Sequence, residues 1–101
     1  MNEKYNPWSP ITNSLDLKLL GKLVEELGEC TAATSRCIIQ GMLEKEPVTG
    51  KINVEWLEEE LADVIANIEL VIEHFNLEKD VIAGRVQDKQ TRLSIWHSMP
   101  T

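Results

Sequence analysis

Hydrophobic positions recur at helical spacing in three long segments, separated by polar stretches with turn-forming residues. In the first segment, leucine and valine recur every three or four residues, and the pattern predicts a helix that ends near residue 41. The second segment alternates apolar residues in steps of four and three and predicts a helix over about 54–75. The third pattern begins at Leu77 and continues to about Ser94. Three helices are therefore expected.

The ends of these helices carry capping residues. Thr12, Asn13 or Ser14 can cap the first helix, because their side-chain oxygens accept hydrogen bonds from free backbone amides. Asn53 and Asn76 are the corresponding candidates for the second and third helices. These caps predict where each helix begins.

The remaining segments predict irregular structure. Pro7 and Pro10 argue against a helix start, so residues 1–11 are expected to form an N-terminal arm. Residues 42–52 contain a proline and a Thr-Gly pair between charged residues, which favours a surface loop. Residues 95–101 are expected to form a short tail that frays.

Composition agrees with an all-α fold. Aromatic residues make up 5% of the chain, while Leu, Ile, Val, Glu and Ala dominate the periodic segments. A chain of 101 residues fits one domain, and a domain of this size buries only about 60–68% of its unfolded surface. We therefore expect a single domain over residues 1–101, an antiparallel helical bundle that is completed by oligomerisation.

The net charge of −7 is concentrated in the middle of the chain, where residues 44–73 contain nine acidic and two basic residues. A strongly acidic chain repels a nucleic-acid backbone, so nucleic-acid binding is not expected. A small polyanion can still bind if divalent cations bridge it.

The location of the protein follows from two further features. Cys30 and Cys37 are seven residues apart on one predicted helix, about 10.5 Å along its axis, which is too far for a disulfide. No apolar run resembles a signal peptide or a membrane span. We expect reduced thiols, a cytoplasmic protein and no membrane partner.

Two predicted helical turns crowd carboxylates together. Glu26 and Glu29 are three residues apart, as are Glu60 and Asp63. Like charges at this spacing destabilise a helix by roughly 0.2–0.5 kcal/mol per pair, which a bound cation would offset. Oxygen ligands suit Mg²⁺, Mn²⁺ or Ca²⁺ rather than zinc or copper. Mg²⁺ completes its shell with water and substrate phosphates, so a phosphorylated substrate is expected.

A di-iron helical bundle is the competing carboxylate site, and it requires Glu-x-x-His on two helices. The residues three positions before His74 and His97 are Val71 and Ser94. The spacing therefore excludes a di-iron site.

Polar residues elsewhere extend this hypothesis. Arg85, Lys89 and Arg92 form one basic stripe on the third predicted helix, which suits either phosphate or a solvated face with ion pairs. Asn67 lies one turn after Asp63 and can reach a base or ribose, or satisfy a neighbouring backbone group.

The two acidic turns also carry a family resemblance. Residues 25–29, EELGE, fit the pattern EExxE, and residues 60–63, ELAD, fit ExxD. Together, in this order and inside this helix pattern, they resemble the paired signature of the MazG-like, all-α nucleoside triphosphate pyrophosphohydrolases. The resemblance covers about residues 15–93, and the spacer between its halves is somewhat long for the family.

The resemblance implies a homodimer or homotetramer that cleaves a nucleoside triphosphate between the α and β phosphates with Mg²⁺ or Mn²⁺. The products are a nucleoside monophosphate and pyrophosphate. The implied metal ligands are Glu26, Glu29, Glu60 and Asp63. Glu25 matches the first glutamate of the motif and would orient or deprotonate the attacking water, or hold another ion.

The resemblance also suggests substrate contacts. Lys89 and Arg92 are the nearest matches to basic residues that contact phosphate in the family, and Asn67 is the candidate for base or ribose. Trp8 resembles aromatic residues that stack on the base in some relatives, although a core or interface role is equally compatible with the sequence.

Two alternatives stay open. Phosphoribosyl-ATP pyrophosphohydrolases share EExxE and a helical fold, but join their acidic turns by a shorter segment and place a histidine soon after the second, where this chain has Asn67. A non-enzymatic helical interaction protein would carry the same acidic faces simply solvated.

Overall fold

The computed structural model describes residues 7–101, which form three helices: α1 (Ser14–Gln40), α2 (Asn53–His74) and α3 (Lys79–His97). The described residues contain no strand, only an isolated bridge between Lys45 and Ile52. The prediction of an all-α protein is confirmed. The chain divides into two compact units, one ending at Val71 and the other comprising Ile72–Thr101.

The ends of α1 agree with the sequence. The Asn13 side chain accepts a hydrogen bond from the Asp16 amide at 3.0 Å, as expected of a capping residue. At the other end, Gly41 adopts a φ of 107° and donates its amide to the Cys37 carbonyl at 3.0 Å. A positive φ of this kind favours glycine, so α1 stops here. Residues 7–13 precede the helix without regular structure, and the first six residues of the predicted arm lie outside the described range.

The loop that follows α1 is held by its own polar groups. The Glu46 carboxylate accepts hydrogen bonds from the amides of Val48 and Thr49 and from the Thr49 hydroxyl, at 2.7–3.0 Å. These bonds stabilise the ionised carboxylate and lower the pKa of Glu46. The predicted surface loop is therefore ordered by a carboxylate that accepts three hydrogen bonds from within the loop.

Asn53 ties the start of α2 to the end of α1. Its side chain is fully buried, and its amide nitrogen donates to Gln40 Oε1 at 3.1 Å and to the Gly41 carbonyl at 3.0 Å. We expected Asn53 to cap α2, but its amide instead satisfies groups at the end of α1. The Cys37 thiol also donates to the Asn53 carbonyl, at 3.6 Å. These contacts place the end of α1 beside the start of α2, so the two helices run antiparallel.

Few hydrophobic side chains are buried. Among residues 7–101, those with less than a tenth of their surface exposed are Ala33, Cys37 and Val71. Val24 and Ile38 on α1 are 69% and 80% exposed. Both cysteines are free thiols, as predicted. The apolar faces predicted for these helices are thus only partly covered by the described chain.

The second unit begins with the last turn of α2. Asn76 has a φ of 49°, its amide donates to the Glu73 carbonyl, and the Leu77 amide donates to the Ile72 carbonyl. This pair of bonds around a left-handed residue is a Schellman motif, which ends a helix. Asn76 therefore terminates α2, and the prediction that it caps the third helix is wrong. Helix α3 extends to His97, three residues beyond its predicted end.

None of the helices in the described part of the chain combines the length and apolar character needed to cross a bilayer.

Candidate functional site

The antiparallel arrangement of α1 and α2 brings two acidic turns face to face. One carboxylate oxygen from each of Glu26, Glu60 and Asp63 lies within 4.8 Å of the other two. Glu60 and Asp63 are neighbours on α2, while Glu26 comes from α1. Three of the four predicted metal ligands are therefore brought together by the fold.

Burial of two oxygen atoms makes this carboxylate triad costly, although its third member, Asp63, is exposed. Glu26 is only 6% exposed, and its Oε2 is buried without a hydrogen-bond partner in the described structure. Glu60 Oε2 is in the same condition. A buried polar atom left unsatisfied costs about 1–3 kcal/mol, and more if it is charged. The triad thus holds two acceptor atoms that a ligand with positive charge would satisfy.

Burial and neighbouring charges together raise the pKa of Glu60. Burial is the largest cause, followed by repulsion from Glu29, Asp63 and Glu26 and by hydrogen bonding to Glu29. Each of these effects disfavours the ionised carboxylate. A divalent cation would oppose them, because it favours the charged form of every carboxylate around it.

The fourth predicted ligand, Glu29, lies beside the triad. Its side chain is exposed, yet its charge acts on Glu60 and it lines a cleft together with that residue. The structure therefore places Glu29 next to the three clustered carboxylates and more open to solvent than Glu26 and Glu60.

Glu25 is separate from the triad. Its side chain is 55% exposed and forms an ion pair with Lys22 at 3.3 Å. Lys22 also lies 3.2 Å from Glu26 Oε1, and hydrogen bonds to Glu26 and Glu25 raise the pKa of this lysine. Among residues 7–101, Lys22 is thus the cation that pairs with Glu26.

Beyond the triad the helices leave a cleft of about 310 Å³. It is lined by two carboxylates, two alanines, one cation and one aromatic ring: Glu29, Glu60, Ala32, Ala33, Arg36 and Trp56. The Arg36 guanidinium carbon lies 5.2 Å from the centroid of the Trp56 ring, and the Lys51 nitrogen 5.1 Å from it.

Sequence reasoning missed Arg36 and Trp56. The available signal was positional, because Arg36 lies two turns after Glu29 on α1 and Trp56 one turn before Glu60 on α2. Reading this signal requires the register between the two helices, which the sequence pattern alone does not supply.

The predicted substrate residues have diverse positions. The Asn67 amide nitrogen donates to the Asp63 carbonyl at 2.8 Å, which matches the alternative that it satisfies a backbone group. Trp8 is 78% exposed and precedes α1. Lys89 and Arg92 lie in the second unit, on one exposed face of α3 with Leu93 and Trp96.

The donor atoms fit a hard divalent cation. Glu26, Glu60 and Asp63 offer oxygen ligands only, and two of these oxygens are buried without partners. Such a set suits Mg²⁺, Mn²⁺ or Ca²⁺ and not a soft metal that prefers sulfur or nitrogen.

No protein-family model matches the sequence, and comparison with curated proteins and with solved structures finds no significant match.

Proposed function

We propose that this protein is a nucleoside triphosphate pyrophosphohydrolase that uses Mg²⁺ or Mn²⁺ to cleave the bond between the α and β phosphates. The observation that supports this most strongly is the triad of Glu26, Glu60 and Asp63, with its two unpartnered buried oxygens. The EExxE and ExxD motifs, which resemble those of the MazG-like enzymes, support a nucleoside triphosphate as the substrate.

In this proposal the carboxylates of the triad hold the cation, and Glu29 adds a fourth carboxylate at the solvent side. When bound, the cation supplies Lewis-acid chemistry: it neutralises the triphosphate and activates the attacking water. Glu25 is proposed to orient or deprotonate that water. Since Glu25 forms an ion pair with Lys22, that pair must open or rearrange before Glu25 can act.

The chain's charge explains why substrate binding depends on the cation. Four carboxylates line this part of the first unit, and a triphosphate approaching them without a cation would meet strong repulsion. Lys89 and Arg92 are proposed to contact phosphate, Asn67 to contact the base or ribose through its remaining oxygen, and Trp8 to stack on the base.

Self-association into a homodimer or homotetramer is part of the proposal. Leu17, Val24 and Ile38 are separated by multiples of seven residues on α1, so they share one face, and each is more than half exposed. A second copy of the chain is the proposed cover for this face. Sedimentation equilibrium tests the association, and a monomer at micromolar concentration contradicts it.

A panel of canonical and modified nucleoside triphosphates, assayed for pyrophosphate release with and without Mg²⁺, tests the activity. Cation-dependent release of pyrophosphate and monophosphate supports the proposal. Phosphoribosyl-ATP is assayed beside them, and its turnover without turnover of the nucleoside triphosphates would favour a phosphoribosyl-ATP pyrophosphohydrolase instead. No turnover, together with no saturable Mg²⁺ binding, would favour a helical interaction protein.

A further inference from the structure

We propose that the end of the cleft formed by Arg36 and Trp56 is a phosphate subsite, which binds the pyrophosphate portion of the substrate next to the carboxylate triad. This inference deepens the proposed function and depends on it for the identity of the ligand. It assigns a binding role to two residues that the motifs do not include.

The geometry of the cleft follows from the helix register. Glu29 and Arg36 lie on the same face of α1, about 10.5 Å apart along its axis, while Trp56 and Glu60 are one turn apart on α2. Ala33, between the two ends of the α1 wall, is too small to fill the space. The result is one cleft with carboxylates at one end and a guanidinium at the other.

Arg36 is available to an anion. No carboxylate of the described chain forms an ion pair with it. The charge of Arg36 contributes to the lowered pKa of Glu46, but the oxygens of Glu46 already accept three hydrogen bonds from Val48 and Thr49. Lys51, the other cation beside Trp56, differs because it is paired with Glu59. The free guanidinium fork matches two oxygens of a phosphate group.

Trp56 contributes in two ways. Its ring lies beneath the Arg36 guanidinium, a cation–π contact that favours one orientation of the fork. Its indole nitrogen is buried and has no acceptor among the described residues. Indole is only a donor, so an acceptor-rich ligand such as phosphate is the chemistry that meets this need. Arg36 and Trp56, which line the same cleft, thus each carry a donor that no described residue satisfies.

The fluorescence of Trp56 tests the subsite without measuring turnover. Trp8→Phe and Trp96→Phe leave Trp56 as the sole tryptophan, and this protein is titrated with inorganic pyrophosphate in the presence of Mg²⁺. A saturable change in emission is expected. Arg36→Gln should weaken binding about 10- to 100-fold, the usual range for losing a hydrogen bond to a charged group. Arg36→Lys, which keeps the charge but loses the fork, should fall between.

Lys18→Gln is the matched control, since it removes an exposed cation from the same helix. Equal pyrophosphate affinity in Arg36→Gln and Lys18→Gln, while Mg²⁺ still raises the melting temperature of both, would overturn the subsite and leave the proposed function intact. A response to a nucleoside but not to pyrophosphate would overturn it by identifying a base pocket. Circular dichroism establishes whether each variant is folded. If Arg36→Gln is unfolded, the comparison is made with Arg36→Lys instead.

Failure of the proposed function gives a different result. In that case Mg²⁺ has no effect on the melting temperature of the unsubstituted protein. Pyrophosphate that still binds at Trp56, and binds less well to Arg36→Gln, would support an anion site at Arg36 that does not depend on the cation.

Discussion

The α1–α2 region up to Val71 and the C-terminal helix α3 differ in whether their polar groups are buried. The first region buries Glu26 and Asn53 and leaves carboxylate oxygens without partners. In contrast, no residue of α3 is buried within the described chain, and its polar groups face solvent. Buried unsatisfied groups destabilise a protein, so they indicate a ligand more strongly than exposed charges do. The comparison favours the triad as the functional centre and leaves the basic stripe of α3 with sequence support alone.

The largest expected effect comes from removing one carboxylate of the triad. Asp63→Ala should lower kcat/KM for Mg²⁺-dependent hydrolysis at least about 100-fold, because the stabilisation supplied by a bound cation amounts to several kcal/mol. Helical content should stay near that of the unsubstituted protein, as measured by circular dichroism.

Asp88→Ala is the control, because it removes the same side chain from an exposed position of α3. It should leave kcat/KM unchanged. Equal activity of the two variants would remove the distinction between the clustered carboxylates of the triad and the isolated acids of α3.

A smaller effect is expected from the basic face of α3. If Lys89 and Arg92 contact phosphate as the resemblance implies, Lys89→Gln and Arg92→Gln should each raise KM about tenfold, the loss of one charge-assisted hydrogen bond. Steady-state kinetics measures this, with Lys79→Gln on the same helix as the control. Unchanged KM in both variants would mean that α3 presents a solvated face.

Substitution of Lys22 should have a modest effect in the opposite direction, because it should strengthen Mg²⁺ binding. Its ammonium lies 3.2 Å from Glu26, so it competes with any cation for that carboxylate. Lys22→Met should tighten Mg²⁺ binding about two- to fivefold, the range typical of partly exposed ion pairs. Isothermal titration calorimetry measures the affinity, and Lys18→Met, one turn earlier, should leave it unaltered. Weaker binding in Lys22→Met would contradict this role.

The pH dependence of stability provides the finest test. The pKa of Glu60 in the folded protein is raised above its ordinary 4.5. Folding therefore favours its protonated form, so this contribution to stability is complete below about pH 4.5 and is lost as pH rises through the folded pKa. Urea unfolding of the metal-free protein between pH 4 and 7 should show this loss, and Glu60→Gln should not. Identical pH profiles would contradict the burial of an ionisable Glu60.

The parts of this structure that were predictable from sequence are those set by local interactions. The bounds of α1 and α2 follow from apolar spacing and from residues such as Asn13, and α2 was predicted within one residue at each end. Asn76 was misread because asparagine suits both a helix cap and a left-handed turn, and the two uses look alike in a sequence.

The candidate site likewise has one part that was predictable from sequence and one part that was not. The two acidic turns can be recognised in the sequence, because like charges recur there at helical spacing. The Arg36–Trp56 end cannot, because these residues are 20 positions apart and meet only once the antiparallel register is known. The burial of Glu26 could not be predicted from the sequence either, because a glutamate in an acidic turn is most often solvated.

The most direct measurement is titration of the protein with Mn²⁺, followed by the loss of the free-ion signal in electron paramagnetic resonance. If Glu26, Glu60 and Asp63 hold one cation between them, binding is saturable, competed by Mg²⁺ and lost in Asp63→Ala but not in Asp88→Ala. Binding that is absent, or that is the same in both variants, would contradict a metal centre at the triad.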